Sequence, residues 1–306
     1  MIEIQDLTKR YGRTVAVDGL SFTVRPGHVT GFLGPNGAGK STTMRTIVGL
    51  DHPTTGTATV AGRRYRDHAA PLREVGALLE ARAFQKARSA RNHLLALAQT
   101  HGIPEVRVDA VLAMVGLEEV GHRRAGGYSL GMAQRLGVAA ALLGDPAVVV
   151  LDEPVNGLDP DGVLWVRTLL KTLATQGRTV LVSSHLMSEM AVTADRLVII
   201  GRGRLLAEAS IGELTARAGV GRVLVRSPQA TDLRELLVGR GATVTSAEPG
   251  VLQVDGLGAG TIADLAVGRG LAVHELTPQH ASLEQAYMEL TRDAVQYQDQ
   301  QRVMSS

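Results

Sequence analysis

The stretch from Gly34 to Thr42 limits the possible folds of this chain more than any other. It reads Gly-Pro-Asn-Gly-Ala-Gly-Lys-Ser-Thr, which fits G-x-x-x-x-G-K-[ST], the pattern of a loop that binds nucleotide phosphates between a strand and a helix. The apolar run Val29–Leu33 before it predicts a buried strand, and residues 41–48 after it predict a helix. The sequence therefore predicts an α/β protein that binds a nucleoside triphosphate.

Each residue type in this loop has a chemical role. Glycines allow successive backbone N–H groups to turn inward, and the helix N-terminus adds a dipole that favours an anion. Lys40 is expected to reach the β- and γ-phosphates, and the Ser41 hydroxyl to ligate Mg²⁺. The predicted nucleotide contacts are Gly34, Pro35, Asn36, Gly37, Ala38, Gly39, Lys40, Ser41 and Thr42.

Composition excludes several other classes of protein. The 306 residues suffice for one large domain and a small one, and 44% of them are hydrophobic, as in ordinary globular proteins. The formal net charge is +2 with scattered basic residues, which argues against a nucleic-acid groove. The chain has no cysteine, so disulfides and thiol catalysis are excluded. The longest apolar stretch, 136–151, contains Gly-Asp-Pro and is too short to span a bilayer, so we expect a soluble chain.

A second candidate element is the run 148–151 followed by Asp152 and Glu153. Its β-branched residues predict a buried parallel strand, with both carboxylates at the sheet edge where open α/β sheets bind ligands. There Asp152 would hold Mg²⁺ through its waters, and Glu153 would accept a proton from the attacking water.

Three further residues allow two interpretations each. Tyr11 could stack on a base or be an ordinary surface tyrosine. Ser129 precedes a helix predicted at 134–143 and, taken alone, is better explained as a helix cap than as an anion ligand. His185 ends the predicted strand 179–185 and could bond a γ-phosphate, although a lone histidine is usually structural.

The pattern changes twice along the chain. Residues 71–144 are predicted to be helical, with helices at 92–100 and 107–115. From about Val220 the order becomes βαββαβ plus a helix at 283–290, which is ferredoxin-like and contains a weak repeat at 237–241 and 266–270. The glutamine-rich tail is predicted to be flexible.

In order and spacing, these motifs make the first 210 or so residues resemble the ATP-binding subunit of an ABC transporter. The motifs are the loop Gly34–Thr42, the signature-like run from Tyr128 to Arg135, the strand ending in Asp152 and Glu153, the turn 157–159 and His185. Residues 76–80 and 282–291 resemble most the ATPases of daunorubicin and bacitracin exporters.

The resemblance implies a role for each matching residue. Tyr11 would stack on adenine, Glu153 would be the general base, and His185 would contact the γ-phosphate with Lys40. Ser129 and Gly131 would complete the site of a second subunit, with Asp159 of the turn nearby. The implied metal ligands of Mg²⁺ are Ser41, Glu80 and Asp152.

The implied architecture is an ABC ATPase domain at 1–215, with a mixed sheet core, an antiparallel β subdomain and a helical subdomain. A small α+β ferredoxin-like accessory or regulatory domain would occupy 220–293, and a flexible tail 294–306. Two subunits would form a head-to-tail homodimer around two ATP molecules, because one subunit lacks donors for the far face of the γ-phosphate. A separate permease would hold the dimer at the cytoplasmic side of the membrane.

Two residues depart from the family pattern. Glu80 stands where glutamine is usual, which adds negative charge beside the triphosphate. Leu130 stands where glycine is usual, and we expect it to restrict the backbone of the signature loop and slow turnover.

Exporter ATPase is the first functional hypothesis. The alternative is a soluble ABC-type ATPase that acts on ribosomes or DNA, but such relatives usually carry two ATPase units or a coiled-coil insertion, and the chain has neither sustained heptads nor a basic tract. A phosphotransferase would need an acceptor pocket for which the sequence gives no candidate.

Overall fold

The computed structural model describes residues 1–218, 222–279, 283–288 and 290–291. The described residues form two compact units, one of Met1–Ser210 with Leu290 and Thr291, the other of the described residues between 211 and 288. The domain limits 1–215 and 220–293 stay predictions, as does the complete helix 283–290, of which residue 289 is not described. Ser282 and the predicted tail 294–306 also lie outside the described residues.

An antiparallel sheet forms from the N-terminal segment. Its strands pair in the order β2-β1-β4, and residues such as Ile2 and Ile4 point into the core while their neighbours are more exposed. Strand β2 runs without a break through Gly19, because register shifts in its pairing with β1 let it continue. The strands are β1 (Ile2–Tyr11), β2 (Thr14–Val24) and β4 (Thr55–Val60).

A mixed six-stranded sheet forms the centre of the first unit. Its order is β5-β6-β7-β3-β8-β9, parallel except for the antiparallel last pair. Strands β3, β6 and β7 are buried along their whole length, as their apolar sequences predict. The strands are β3 (Val29–Leu33), β5 (Val75–Leu78), β6 (Val148–Leu151), β7 (Thr179–Ser183), β8 (Arg196–Gly201) and β9 (Arg204–Ser210).

Strand β5 lies inside the segment predicted to be helical, so that prediction is wrong at 75–78. The strand is only four residues long, and its glycine has a packing role, because a Cβ on Gly76 would collide with the carbonyl oxygen of Ala141. A four-residue run containing glycine carries no periodic signal by which to separate strand from helix.

Seven helices of the first unit have described bounds. Helix α5 begins at Leu130, four residues earlier than predicted, because the Ser129 hydroxyl caps it. The helices are α1 (Lys40–Ile47), α2 (Pro71–Glu74), α3 (Ala90–Thr100), α4 (Val106–Met114), α5 (Leu130–Leu142), α6 (Pro160–Thr175) and α7 (Met187–Thr193). None of the helices described along the chain is both long and apolar enough to cross a bilayer.

The second unit has the βαββαβ order with an antiparallel sheet in the order β11-β12-β10-β13, the ferredoxin-like arrangement. The last strand of this sheet, β13, begins at Glu275. The elements are α8 (Ile211–Ala218), β10 (Val223–Arg226), α9 (Ala230–Val238), β11 (Thr243–Glu248), β12 (Val251–Asp255), α10 (Ala259–Gly268) and β13 (Glu275–Pro278).

The weak sequence repeat corresponds to two identical helix ends. After α9, the Ala242 N–H donates to the Leu237 carbonyl at 3.1 Å, and after α10, the Leu271 N–H donates to the Ala266 carbonyl at 2.9 Å. Both are Schellman motifs, which need a left-handed residue that glycine supplies. The repeat therefore corresponds to the same helix-ending turn, which occurs once after α9 and once after α10.

Candidate active site

The glycine-rich loop lies between the carboxyl end of β3 and helix α1. Gly37 and Gly39 have φ of 78° and 103°, a region that other residues rarely adopt. A Cβ on Gly39 would lie 2.5 Å from the Ala16 carbonyl oxygen, and one on Gly34 would lie 2.5 Å from the Ile200 carbonyl oxygen. The loop therefore requires glycine at these positions, and its course leaves the N-terminus of α1 available for an anion.

Lys40 is the first residue of α1 and is 8% exposed. Its Nζ donates to the carbonyl oxygens of Gly34 at 2.6 Å and of Pro35 at 3.3 Å, so the ammonium lies within the curve of the loop. Burial lowers the pKa of Lys40, while the nearby carboxylates of Glu153 and Asp152 raise it. A buried cation at this place suits a polyphosphate.

Ser41 and Asp152 come together although 111 positions separate them. The Ser41 hydroxyl donates to Oδ2 of Asp152 at 2.7 Å, and Asp152 also accepts a hydrogen bond from the Ser183 hydroxyl. Glu80 is exposed and lines the same cavity, of about 540 Å³, as Ser41 and Asp152.

These oxygen donors fit Mg²⁺, which prefers oxygen ligands and retains several waters. Within the described residues no three His, Asp or Glu side chains form a metal cage. Ser41 and Asp152 would therefore hold the ion together with phosphate oxygens and water, and Glu80 would add a charge at the edge of that site.

Glu153 and His185 form a pair at the ends of the neighbouring strands β6 and β7. The Nδ1 of His185 lies 2.8 Å from Oε2 of Glu153, and their side chains are 49% and 26% exposed, respectively. Glu153 has φ of 50°, an uncommon conformation for a residue with a side chain. Such strained positions are frequent in active sites, where the surrounding structure holds them.

Two residues that the sequence reasoning missed hold Glu153 in that conformation. The Glu153 N–H donates to Oγ of Ser183 at 2.9 Å, and Nε2 of Gln134 donates to the Glu153 carbonyl oxygen at 3.0 Å. Both residues are buried, Gln134 at 2% exposure and Ser183 at 0%. A glutamine on the inner face of a helix was the available signal for Gln134, since buried polar side chains are normally hydrogen-bonded.

The signature-like run leads into helix α5, and its residues Ser129 and Leu130 are exposed. Oγ of Ser129 accepts the N–H of Met132 at 3.2 Å, so the serine is a helix cap, as its position alone favoured. The neighbouring turn packs against it, because a Cβ added to Gly131 would lie 3.3 Å from Leu158.

The expected backbone cost of Leu130 does not arise. Leu130 is the first residue of α5 and has helical backbone, so no glycine-like conformation is required there. Its side chain lies against Gly157, where an added Cβ would collide with it. The residue contributes a packing contact between the signature run and the turn that follows the acidic strand.

Asp159 and Tyr11 are also held by hydrogen bonds. Oδ1 of Asp159 accepts the N–H of Gly162 at 2.9 Å and caps α6. Tyr11 is the last residue of β1, 47% exposed, and its hydroxyl donates to Oδ2 of Asp51 at 2.9 Å. Burial and that hydrogen bond raise the pKa of Tyr11, and a hydrogen bond with Thr42 of the loop lowers it.

Geometry and sequence agree with a known family. A family model described as ABC transporter matches residues 17–156, and one described as a domain of unknown function, DUF8746, matches residues 221–284. An uncharacterized ABC transporter ATP-binding protein YdbJ of Bacillus subtilis is 33% identical over 294 residues, covering 95% of each chain. The chain belongs to the ATP-binding subunits of ABC transporters.

Other relatives have named transport roles. The bacitracin transport ATP-binding protein BcrA of Bacillus licheniformis is 41% identical over 220 residues, covering 71% of this chain and 72% of that protein. The lantibiotic transport ATP-binding protein SrtF of Streptococcus pyogenes is 36% identical over 210 residues, covering 68% of this chain and 90% of that protein.

Solved structures confirm the fold. A structure of the ATP-binding subunit of an ABC transporter superposes with a TM-score of 0.66 at 26% identity, covering 72% of this chain and 93% of that one. The dimeric cassette MJ0796 with ADP and Pi superposes with a TM-score of 0.63 at 23% identity, covering 69% of this chain and 98% of that one. The predicted ABC ATPase fold is therefore confirmed. Membership of the family confirms ATP as the nucleotide, Mg²⁺ as its ion and ATP hydrolysis as the reaction.

Proposed function

We propose that this subunit hydrolyses ATP within a head-to-tail dimer and thereby powers a membrane exporter. The proposal is based on one observation: five side chains lie close together at one edge of the sheet. They are Lys40, Ser41, Asp152, Glu153 and His185. Three neighbouring strands, β6, β7 and β3, bring these side chains to one edge of the sheet, where open α/β sheets bind ligands.

The chemistry at this edge assigns a role to each group. Lys40 and the N–H groups of the loop hold the phosphates, and Mg²⁺ bound by Ser41 and Asp152 offsets the charge of the triphosphate. Glu153 accepts a proton from the attacking water. His185, hydrogen-bonded to Glu153, contacts the γ-phosphate and keeps the carboxylate in place.

The proposed dimer is based on the groups that one subunit can place around its own bound ATP. In the described part of the chain, Ser129 lies at an exposed helix N-terminus and its hydroxyl bonds the backbone of its own helix. Donors around a charged transition state must be in place beforehand. We assign Ser129 and Gly131 to the far face of ATP bound by a second copy, and Tyr11 to the adenine. The dimeric cassette MJ0796 supports this arrangement.

Export is the favoured use of this ATPase. Bacitracin and lantibiotic transport proteins are among the relatives, and so is a Nod factor export ATP-binding protein of Burkholderia lata, 36% identical over 244 residues. A drug, an antibiotic or another hydrophobic compound is the proposed cargo, carried by a separate permease that binds this subunit at its cytoplasmic side. An action on ribosomes or DNA is the alternative, but none of these relatives points to it.

A Glu153→Gln variant tests the hydrolysis and the dimer together. It keeps the shape of the side chain and removes the base, so we expect ATP turnover to fall at least 100-fold, of the order that general-base catalysis contributes. ATP should then accumulate and hold the subunits as a dimer in size-exclusion chromatography. Lys40→Ala is the matched control, since it should lose nucleotide affinity and stay monomeric with ATP. Normal turnover in Glu153→Gln would remove Glu153 as the base.

Co-purification distinguishes the two uses of ATP. The tagged subunit, extracted from membranes with mild detergent, should recover an integral membrane protein in a stoichiometric complex. Recovery of ribosomes without a membrane protein would favour the alternative.

A further inference from the structure

A small cavity lies behind the acidic end of strand β6. It is lined by Pro154, which follows Glu153, and by Ser183, which holds the backbone of Glu153. Helices α6 and α7 contribute Arg167 and Glu189 to its wall. The space for a water centre is about 10 Å³, close to the minimum that one water molecule needs.

The two charged side chains of this cavity are incompletely satisfied. Nε of Arg167 and Oε2 of Glu189 are both buried, and neither has a hydrogen-bond partner among the described residues. An unpartnered buried polar atom destabilises the folded protein, and more so if it is charged. The two side chains carry opposite charges and line the same cavity, which has room for one water that could hydrogen-bond to them.

Glu189 is electrostatically connected to the catalytic pair. Burial raises the pKa of Glu189, the charge of His185 lowers it, Glu153 raises it, and Arg167 lowers it. Glu189 lies four residues after His185, on the helix that His185 precedes. Arg167 lies on the helix capped by Asp159, so the cavity connects the turn after the acidic strand to the histidine segment.

We propose that Arg167 and Glu189, paired through a water in this cavity, position His185 against Glu153. The inference rests on the proposed role of Glu153 as base. Loss of Glu189 leaves the Arg167 cation without its partner in the cavity that Ser183 lines, next to the hydroxyl that holds the Glu153 backbone. Loss of Arg167 leaves the Glu189 anion to repel Glu153. Both changes disturb a histidine–carboxylate contact that neither residue touches directly, so Arg167 and Glu189 are positioning residues.

The test compares steady-state ATP hydrolysis of four variants in the full-length chain. Glu189→Gln and Arg167→Met are each expected to lower kcat about tenfold while the KM for ATP stays within twofold. Because the two residues act as one unit, the double variant should lose no more than about tenfold, whereas independent effects would multiply to about a hundredfold. Arg167→Lys keeps the charge and should retain at least a third of wild-type kcat.

A matched control separates positioning from general destabilisation. Asp145 accepts hydrogen bonds from Arg107 and Arg178 at 3.0 and 2.9 Å, away from the acidic strand end. Asp145→Asn should therefore lower the melting temperature without changing kcat.

Three outcomes would overturn the inference. They are a kcat within twofold of wild type in Glu189→Gln, a multiplicative loss in the double variant, and an equal loss of kcat in Asp145→Asn. If wild-type turnover survives in Glu153→Gln, the proposed role of Glu153 as the base fails, and the inference that rests on it fails too. If Glu153→Gln is inactive and Glu189→Gln is normal, only the positioning role fails.

Discussion

Ser183 gives the sharpest test of how the fold holds its base. Its side chain is fully buried, its hydroxyl accepts the Glu153 N–H at 2.9 Å, and the same hydroxyl donates to Asp152. Ser183→Ala removes both hydrogen bonds without adding volume. The Glu153 backbone, at φ of 50°, then keeps only the hydrogen bonds that its carbonyl oxygen accepts, from Gln134 and from the Asn156 N–H.

The expected loss of activity follows from the strain at Glu153. A residue held in a sparsely populated backbone region costs about 1–3 kcal/mol and relaxes when its restraints are removed. Each 1.36 kcal/mol corresponds to about a tenfold change in rate. We therefore expect kcat of Ser183→Ala to fall about 10- to 100-fold. The Mg²⁺ concentration for half-maximal activity should change less than about threefold, because Asp152 keeps the hydrogen bond from Ser41.

Thr179→Val is the control, since Thr179 is a buried hydroxyl on the same strand. Its Oγ1 accepts the N-terminal amine at 3.0 Å, at the opposite end of β7 from the site. Ser183→Ala should lose about 3 kcal/mol of stability and Thr179→Val about 1 kcal/mol. At about 2–4 °C per kcal/mol for a domain of this size, scanning calorimetry should separate the two melting temperatures. ATP hydrolysis measured at 25 °C, where both variants are folded, then reports the site alone.

Two results would refute this reasoning. A kcat for Ser183→Ala within twofold of wild type would show that Gln134 and the sheet hold Glu153 without the hydroxyl. A comparable loss of kcat in Thr179→Val would show that turnover follows the stability of the strand and not the geometry of the base.

Three further predictions use other parts of the molecule. The hydrogen bond from Arg178 holds the pKa of Asp145 below its usual value, so this aspartate adds stability above that usual value that is lost as the pH falls through the lowered pKa. Asp145→Asn should lower the melting temperature by about 2 °C at pH 7, and calorimetry at successively lower pH should show the difference shrinking as Asp145 is protonated. Glu80→Gln should raise the Mg²⁺ concentration for half-maximal hydrolysis about threefold, as expected for loss of an exposed charge near the metal, and an unchanged Mg²⁺ titration would remove Glu80 from the site. Gly157→Ala should reduce ATP hydrolysis about tenfold, because Gly157 has φ of 75° and its new Cβ would collide with Leu130; adding Leu130→Ala should recover part of the loss, and no recovery would contradict the packing argument.

The parts of the site that follow a short-range rule could be predicted from the sequence. The phosphate loop needs glycine for its backbone and Lys-Ser for its ligand, so its residues identify it without any long-range information. The acidic pair ends a run of four buried residues, and the parallel sheet then places Asp152 beside Ser41. His185 was found by the same logic, because it follows another buried strand.

Contacts between residues that lie far apart in the chain could not be predicted from the sequence. The two side chains that bond the Glu153 backbone belong to Gln134 and Ser183, 19 and 30 positions away, and no local pattern connects these three residues. The cost assigned to Leu130 was wrong for the same reason, since it was argued from the loop alone and not from the helix that Ser129 caps. A strained carboxylate can therefore be recognised as a base only when the residues that hold it are known. The comparison of Ser183→Ala with Thr179→Val therefore asks whether those distant contacts, and not the motif alone, make Glu153 a working base.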